Sequence, residues 1–69
     1  MSLELICNNI RNWRRHRGFS QEEFAEKLGI TRYKVVRIEQ GKSVIGIDMM
    51  EKICKVLDVS YEVLKEEDH

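Results

Sequence analysis

The sequence predicts an all-α protein of five short helices, and three observations carry that prediction. Proline is absent from all 69 residues, so no residue removes a helical backbone donor or forces a break. Four glycines, Gly18, Gly29, Gly41 and Gly46, divide the chain into pieces of helical length. Within those pieces apolar residues recur three and four apart, the spacing that gathers them on one face of a helix.

The first helix is expected from Leu3 to Arg17, with Ile6, Ile10 and Trp13 aligned on one face and Gly18 ending it. Trp13 shares that apolar stripe and therefore reads as core rather than as a base-stacking platform. The second helix, Gln21 to Leu28, has an explicit start. Ser20 can cap it, Glu23 can complete a capping box, and Phe19 can staple onto Phe24. Its inward face is Phe24, Ala25 and Leu28, and Gly29 stands where a left-handed turn residue is needed.

The third helix repeats this logic, with Thr31 as cap and Ile30 stapled to Val35, and it ends at Gln40 before Gly41. Val35 and Ile38 face inward. At about 100° per residue Tyr33, Val36, Arg37 and Gln40 fall on the opposite side, with Arg32 and Lys34 at its margins. A fourth helix is expected over Ile47 to Leu57, with Ile47, Met50, Ile53, Cys54 and Leu57 inward and Asp48 and Glu51 near its positive N-terminal end. The fifth is short, capped by Ser60 with Val59 stapled to Leu64. The whole reads as one domain over 1–69 with its core in 3–64, and the acidic segment 65–69 opposes the helix dipole and frays.

A chain this short buries only about 60% of its unfolded surface, which leaves little room for a large catalytic cleft. No apolar run approaches the ~20 residues of a membrane span and no secretory leader is visible, so a cytoplasmic protein without membrane contact is expected. Cys7 and Cys54 lie 47 positions apart without zinc-ligand spacing and read as small core residues; no metal or cofactor is expected. His16 sits among Arg14, Arg15 and Arg17 and His69 is the last residue, so no base–nucleophile arrangement arises and the chain is not expected to be an enzyme.

Net charge is zero, but residues 1–42 hold nine Lys/Arg and five Asp/Glu (+4), whereas residues 43–69 hold three and seven (−4). A basic half can meet phosphates while the acidic half points away, so neutrality does not argue against nucleic acid.

The spacing within Gln21–Gln40 is the most informative feature, because two helices joined steeply by a tight turn need particular residues at particular offsets. Ala25 is the small residue that permits close approach, Gly29 makes the turn, and Phe24, Leu28, Ile30, Val35 and Ile38 supply the apolar seam. The run Ser20-Gln21-Glu22-Glu23-Phe24-Ala25-Glu26-Lys27-Leu28-Gly29-Ile30-Thr31, followed by Arg37-Ile38-Glu39-Gln40-Gly41-Lys42, resembles the phage-repressor-like helix-turn-helix family of Cro/Xre type. The resemblance covers roughly Ile6 to Leu64 and implies a compact five-helix, lambda-repressor-like DNA-binding domain whose helix-turn-helix is formed by helices two and three.

It also implies roles. Arg32, Tyr33, Val36 and Arg37 fall where the family reads bases in the major groove, with Arg32 and Tyr33 near the end that enters deepest. Gln21 falls against a DNA phosphate, with Lys42, Lys34, Gln40 and Asn9 as further phosphate contacts. Arg14 and Glu39 match an ion pair between the first helix and the end of the recognition helix. The chain departs from the family at Asp58, where glycine is usual, and at Val44-Ile45, where the loop is usually polar.

The leading expectation is a homodimeric regulator of transcription, a repressor on a pseudo-palindromic site in double-stranded DNA, with half-sites ~34 Å apart. Ile45, Tyr61 and Leu64 are its expected dimer contacts, since only the region of the fourth and fifth helices is left to pair subunits. The alternative is a protein-interaction module, such as an antitoxin or a sequestering partner of another regulator.

Overall fold

The computed structural model describes residues 3–67, and its order is α1 (Leu3–His16), α2 (Gln21–Leu28), α3 (Arg32–Glu39), α4 (Ile47–Leu57) and α5 (Tyr61–Lys65). Asp68 and His69, the end of the expected acidic tail, lie outside the described residues.

Each helix begins and ends for a local reason. Ser20 caps α2 by accepting from the Glu23 backbone N–H while the Glu23 carboxylate accepts from the Ser20 N–H, a complete capping box. These hydrogen bonds hold the Glu23 carboxyl below its ordinary pKa, the backbone bond most. Thr31 and Ser60 cap α3 and α5 in the same way, accepting from Lys34 N–H and Val63 N–H. By contrast α4 starts at Gly46 with no side-chain cap.

The four longer helices end alike. After α2 the Gly29 N–H donates to Glu26 O and the Ile30 N–H to Ala25 O, the paired bonds of a Schellman turn, with Gly29 at φ 73°. α4 makes the same turn through Asp58 at φ 56°, whose N–H donates to Lys55 O while Val59 N–H donates to Cys54 O. The family departure at position 58 thus keeps the left-handed geometry and carries the strain of a Cβ there.

Packing assembles the faces that periodicity selected. Ile6 and Ile10 of α1, Phe24, Ala25 and Leu28 of α2, Val35 and Ile38 of α3, Ile53 and Leu57 of α4 and Leu64 of α5 form one buried core. Trp13, Phe19, Ile30, Ile45, Met50, Cys54 and Val59 pack partly buried around it. α2 and α3 form the most extensive helix pair, while α1 packs against α3, α4 and α5 and so makes the scaffold behind them. Ile47 departs from the expected inward face: it is 78% exposed in the uncapped first turn of α4, where about 100° per residue sets it roughly 80–120° away from Ile53 and Leu57.

Side chains from distant positions bind the free carbonyls of helix ends. Arg17 Nε donates to Leu57 O at 2.8 Å, joining the end of α1 to the end of α4, and Lys52 Nζ donates to Leu28 O at 3.2 Å. Both cysteines are free; burial raises their thiol pKa values, at Cys7 with a smaller opposing effect from a Gly41 backbone hydrogen bond. No helix among the described residues is long and apolar enough to cross a membrane.

Candidate nucleic-acid interface

The helix α3 has two unlike sides. Val35, Ile38 and Glu39 are buried against the scaffold, whereas Arg32, Tyr33 and Lys34 are exposed at its N-terminal end, Tyr33 to 69%. Val36 and Arg37 lie half-buried one turn on, and Gln40 is exposed at the C-terminal end. Four of the expected reading residues therefore share the outward side, but Val36 presents less surface than its wheel position suggested.

The back of α3 is fastened by charge. Arg14 Nε lies 2.6 Å from Glu39 Oε2, Arg14 Nη2 donates to Glu39 Oε1 at 3.3 Å, and Arg14 Nη1 donates to Phe19 O at 2.8 Å. Both side chains are almost wholly buried, 7% and 3% exposed. This two-point, low-dielectric contact fixes both the height and the rotation of α3 on α1.

From Glu39 the hydrogen bonds continue to the surface. Gln21 Nε2 donates to Glu39 Oε1 at 3.3 Å, and Arg32 Nη2 donates to Gln21 Oε1 at 3.2 Å. A buried ion pair, the first residue of α2 and the first residue of α3 thus form one chain that ends on an exposed guanidinium. The order is geometric: the turn at Gly29 folds α3 back so that the starts of the two helices converge, although Gln21 and Arg32 are 11 residues apart.

Two braces hold the turn after α3. Lys34 Nζ donates to Ser43 Oγ at 2.7 Å, and Arg37 Nη2 donates to Lys42 O at 2.6 Å with its guanidinium 5.9 Å from the centre of the Tyr33 ring. Lys42 itself is exposed beside them. Ser43, buried and holding Lys34, was not singled out by the sequence; its small polar side chain gives no periodic signal, and only the return of the loop past α3 reveals it.

Two expectations are corrected. Asn9 is 8% exposed and its Nδ2 donates to Leu64 O at 2.8 Å and Glu66 O at 2.7 Å, so it ties α1 to the end of α5 and faces no phosphate. Leu64 is wholly buried in the core, which removes it from any subunit contact. Ile45 is half-buried against the same core, so it offers a partner only part of its surface, whereas Tyr61 is 40% exposed. Asn9 and Leu64 were misplaced for one reason: α5 returns across α1, a contact 55 residues apart that no local pattern encodes.

Comparison with known proteins agrees with this geometry. Residues 10–64 match the helix-turn-helix family (HTH_3). The chain is 35% identical over 66 residues to the HTH-type transcriptional regulator SinR of Bacillus subtilis, covering 94% of this chain and 60% of SinR. It is 34% identical over 64 residues to the antitoxin PezA of Streptococcus pneumoniae, covering 93% of this chain and 40% of PezA. Against the uncharacterized HTH-type transcriptional regulator YgzD of Bacillus subtilis, identity is 36% over 55 residues, covering 80% of this chain and 83% of YgzD. A crystal structure of an HTH_3 family transcriptional regulator from Vibrio cholerae superimposes with a TM-score of 0.79 at 29% identity, covering 90% of this chain and 35% of that one. The chain belongs to the helix-turn-helix family of transcriptional regulators. It spans 60% of the length of SinR and 40% of that of PezA, less than two thirds of either.

Proposed function

We propose that this chain is a sequence-specific reader of double-stranded DNA, a transcriptional repressor that acts in the cytoplasm and binds a pseudo-palindromic operator as a homodimer, α3 entering the major groove by its N-terminal end. One observation carries the reading: Arg32 and Tyr33 stand exposed at the start of a helix whose other side is committed to the core and to the Arg14–Glu39 pair. A solvated helix needs no tyrosine 69% exposed beside a guanidinium that is held in place through Gln21.

In this reading Arg32 makes a bidentate contact to guanine O6 and N7, and the Val36 methyls meet a thymine methyl. Tyr33 donates its hydroxyl to a base edge or a phosphate. Arg37 reads with the donors that its bond to Lys42 O leaves free. Gln21, Lys34, Gln40 and Lys42 meet phosphates around the groove and set the register without specifying sequence.

Selection of bound sequences from a random duplex pool tests this. The expected result is a two-fold symmetric consensus, with affinity falling linearly in log salt. Arg32→Ala should cost ~1–3 kcal/mol and relax preference at one base pair per half-site, whereas Gln21→Ala should weaken binding to all sequences alike. Binding without sequence preference or salt dependence would reject DNA reading. It would favour the second reading, a protein-interaction module, for which the similarity to the antitoxin PezA is the motivating observation.

A further inference from the structure

We propose that Arg11 of α1 is a DNA-backbone contact: with Lys42 it takes one phosphate beside the half-site, in the cleft between α1 and the turn after α3. This rests on the DNA-reading proposal above and adds to it a residue from a third helix.

Arg11 is half-buried, yet no carboxylate pairs with it among the described residues. Its Nη2 donates to Asn8 Oδ1 at 3.1 Å, and its Nε is buried with no acceptor. The other guanidiniums with hydrogen bonds behave differently. Arg14, Arg17, Arg32 and Arg37 each donate to an acceptor outside their own helix, whereas Arg11 donates only back to α1. A desolvated N–H on a cation without an acceptor is costly and rare in native proteins. The side chain folded along α1 is therefore a resting conformer, and an acceptor arriving from outside completes it.

The surroundings select a phosphate. Arg11 lines an open cleft of about 550 Å³ whose opposite wall carries Gln40 and Lys42, two of the phosphate contacts proposed above. The turn that bears Lys42 is held by Arg37 Nη2 on its carbonyl at 2.6 Å, so the exposed ammonium stands on a fixed backbone. Glu39 lines the cleft too, but Arg14 neutralises it at 2.6 Å. That leaves two cations, Arg11 and Lys42, against the one carboxylate of Glu4, a local charge of +1. A guanidinium can take two oxygens of a tetrahedral oxyanion at once while an ammonium across the cleft supplies charge. Asn9, two residues away, lies about 200° round the helix from Arg11. The same geometry that turns Asn9 to the end of α5 thus turns Arg11 to the end of α3.

Fluorescence anisotropy on the selected operator tests the proposal with Arg11→Gln, Arg11→Lys and, as a charge control, Lys55→Gln on the exposed side of α4. Arg11→Gln should bind roughly 5-fold more weakly at about 0.15 M salt and lower the slope of log affinity against log salt by about 0.9, the loss of one neutralised phosphate. The selected consensus should not change, Arg11→Lys should keep most of the slope, and Lys55→Gln should match the wild type. Replacing single operator phosphates by methylphosphonates should reveal one flanking position that weakens the wild type but not Arg11→Gln. Thermal melting of Arg11→Gln should be no lower than wild type, since the buried Nε has no acceptor to lose. Unchanged affinity and slope in Arg11→Gln, an altered consensus, an equal loss in Lys55→Gln, or a lowered melting temperature with no phosphate position lost would each overturn the Arg11 contact and leave DNA reading standing. Competition by inorganic phosphate at constant ionic strength, seen with the wild type and not with Arg11→Gln, would assign the cleft to a free phosphate and overturn the backbone contact. A wild-type chain that selects no duplex at all would overturn the DNA reading and this contact with it.

Discussion

Removing Glu39 alone should strongly destabilise this protein, whereas removing Glu39 together with Arg14 should not. In Glu39→Ala the Arg14 guanidinium loses two of its three acceptors and keeps only Phe19 O, within a side chain that is 7% exposed. Breaking a buried pair by deleting one partner costs ~3–5 kcal/mol, because the remaining charge stays desolvated and unpaired. A 69-residue domain at ~0.05–0.15 kcal/mol per residue has roughly 3–10 kcal/mol in all, so the substitution removes a third or more of its stability. The double variant Arg14→Met with Glu39→Leu replaces both charges by apolar groups of similar reach and should lie within ~1–2 kcal/mol of wild type in either direction. Urea denaturation followed by Trp13 fluorescence and circular dichroism, arranged as a double-mutant cycle, measures the coupling directly. A Glu39→Ala cost under ~1 kcal/mol would refute the argument, since that is how a solvated surface pair behaves. The double variant also separates stability from positioning. Gln21 would lose its Glu39 partner in a protein that remains folded, so the hold on Arg32 should loosen and operator affinity should fall without loss of helix content.

Ala25 is 3% exposed where α2 packs with α3, so Ala25→Leu should cost ~1–3 kcal/mol through overpacking and abolish DNA binding; thermal melting and a binding titration check both, and a fully active variant would sink the close-approach argument. Asp58 at φ 56° predicts that Asp58→Gly raises stability by up to ~1 kcal/mol while Asp58→Ala lowers it, read from chemical denaturation; equal effects of opposite sign order would show that the left-handed turn is not strained. The capping box holds the Glu23 carboxyl below its unfolded pKa, so its contribution is complete above the ordinary carboxylate range and disappears as pH falls through the lowered folded value. Titration of the Glu23 side chain by NMR should show that depression, and Ser20→Ala, which removes the hydroxyl but keeps the backbone N–H, should reverse only the smaller part of it; a wild-type midpoint at the ordinary carboxylate value would remove the box as its cause.

Helix number, the three side-chain caps and the turn at Gly29 were legible in the sequence because each depends on residues within about four positions of one another. The helix-turn-helix itself was legible for the same reason, since its determinants fit within Gln21–Gln40 and are set by one turn. The outward side of α3 followed from periodicity, but which of its side chains are held, and by what, did not. Arg32 is tied to Gln21, Arg37 to the Lys42 carbonyl and Lys34 to Ser43 only because the loop after α3 and the start of α2 converge on it. Asn9 and Leu64 were decided by tertiary structure alone, since α5 packing on α1 buried both, and Ile47, at the margin of the inward face of α4, was left exposed. Hydrophobic periodicity says that a face will be buried. Whether a residue at the margin of that face is covered depends on where the neighbouring helices lie, and that is a property of the packed molecule.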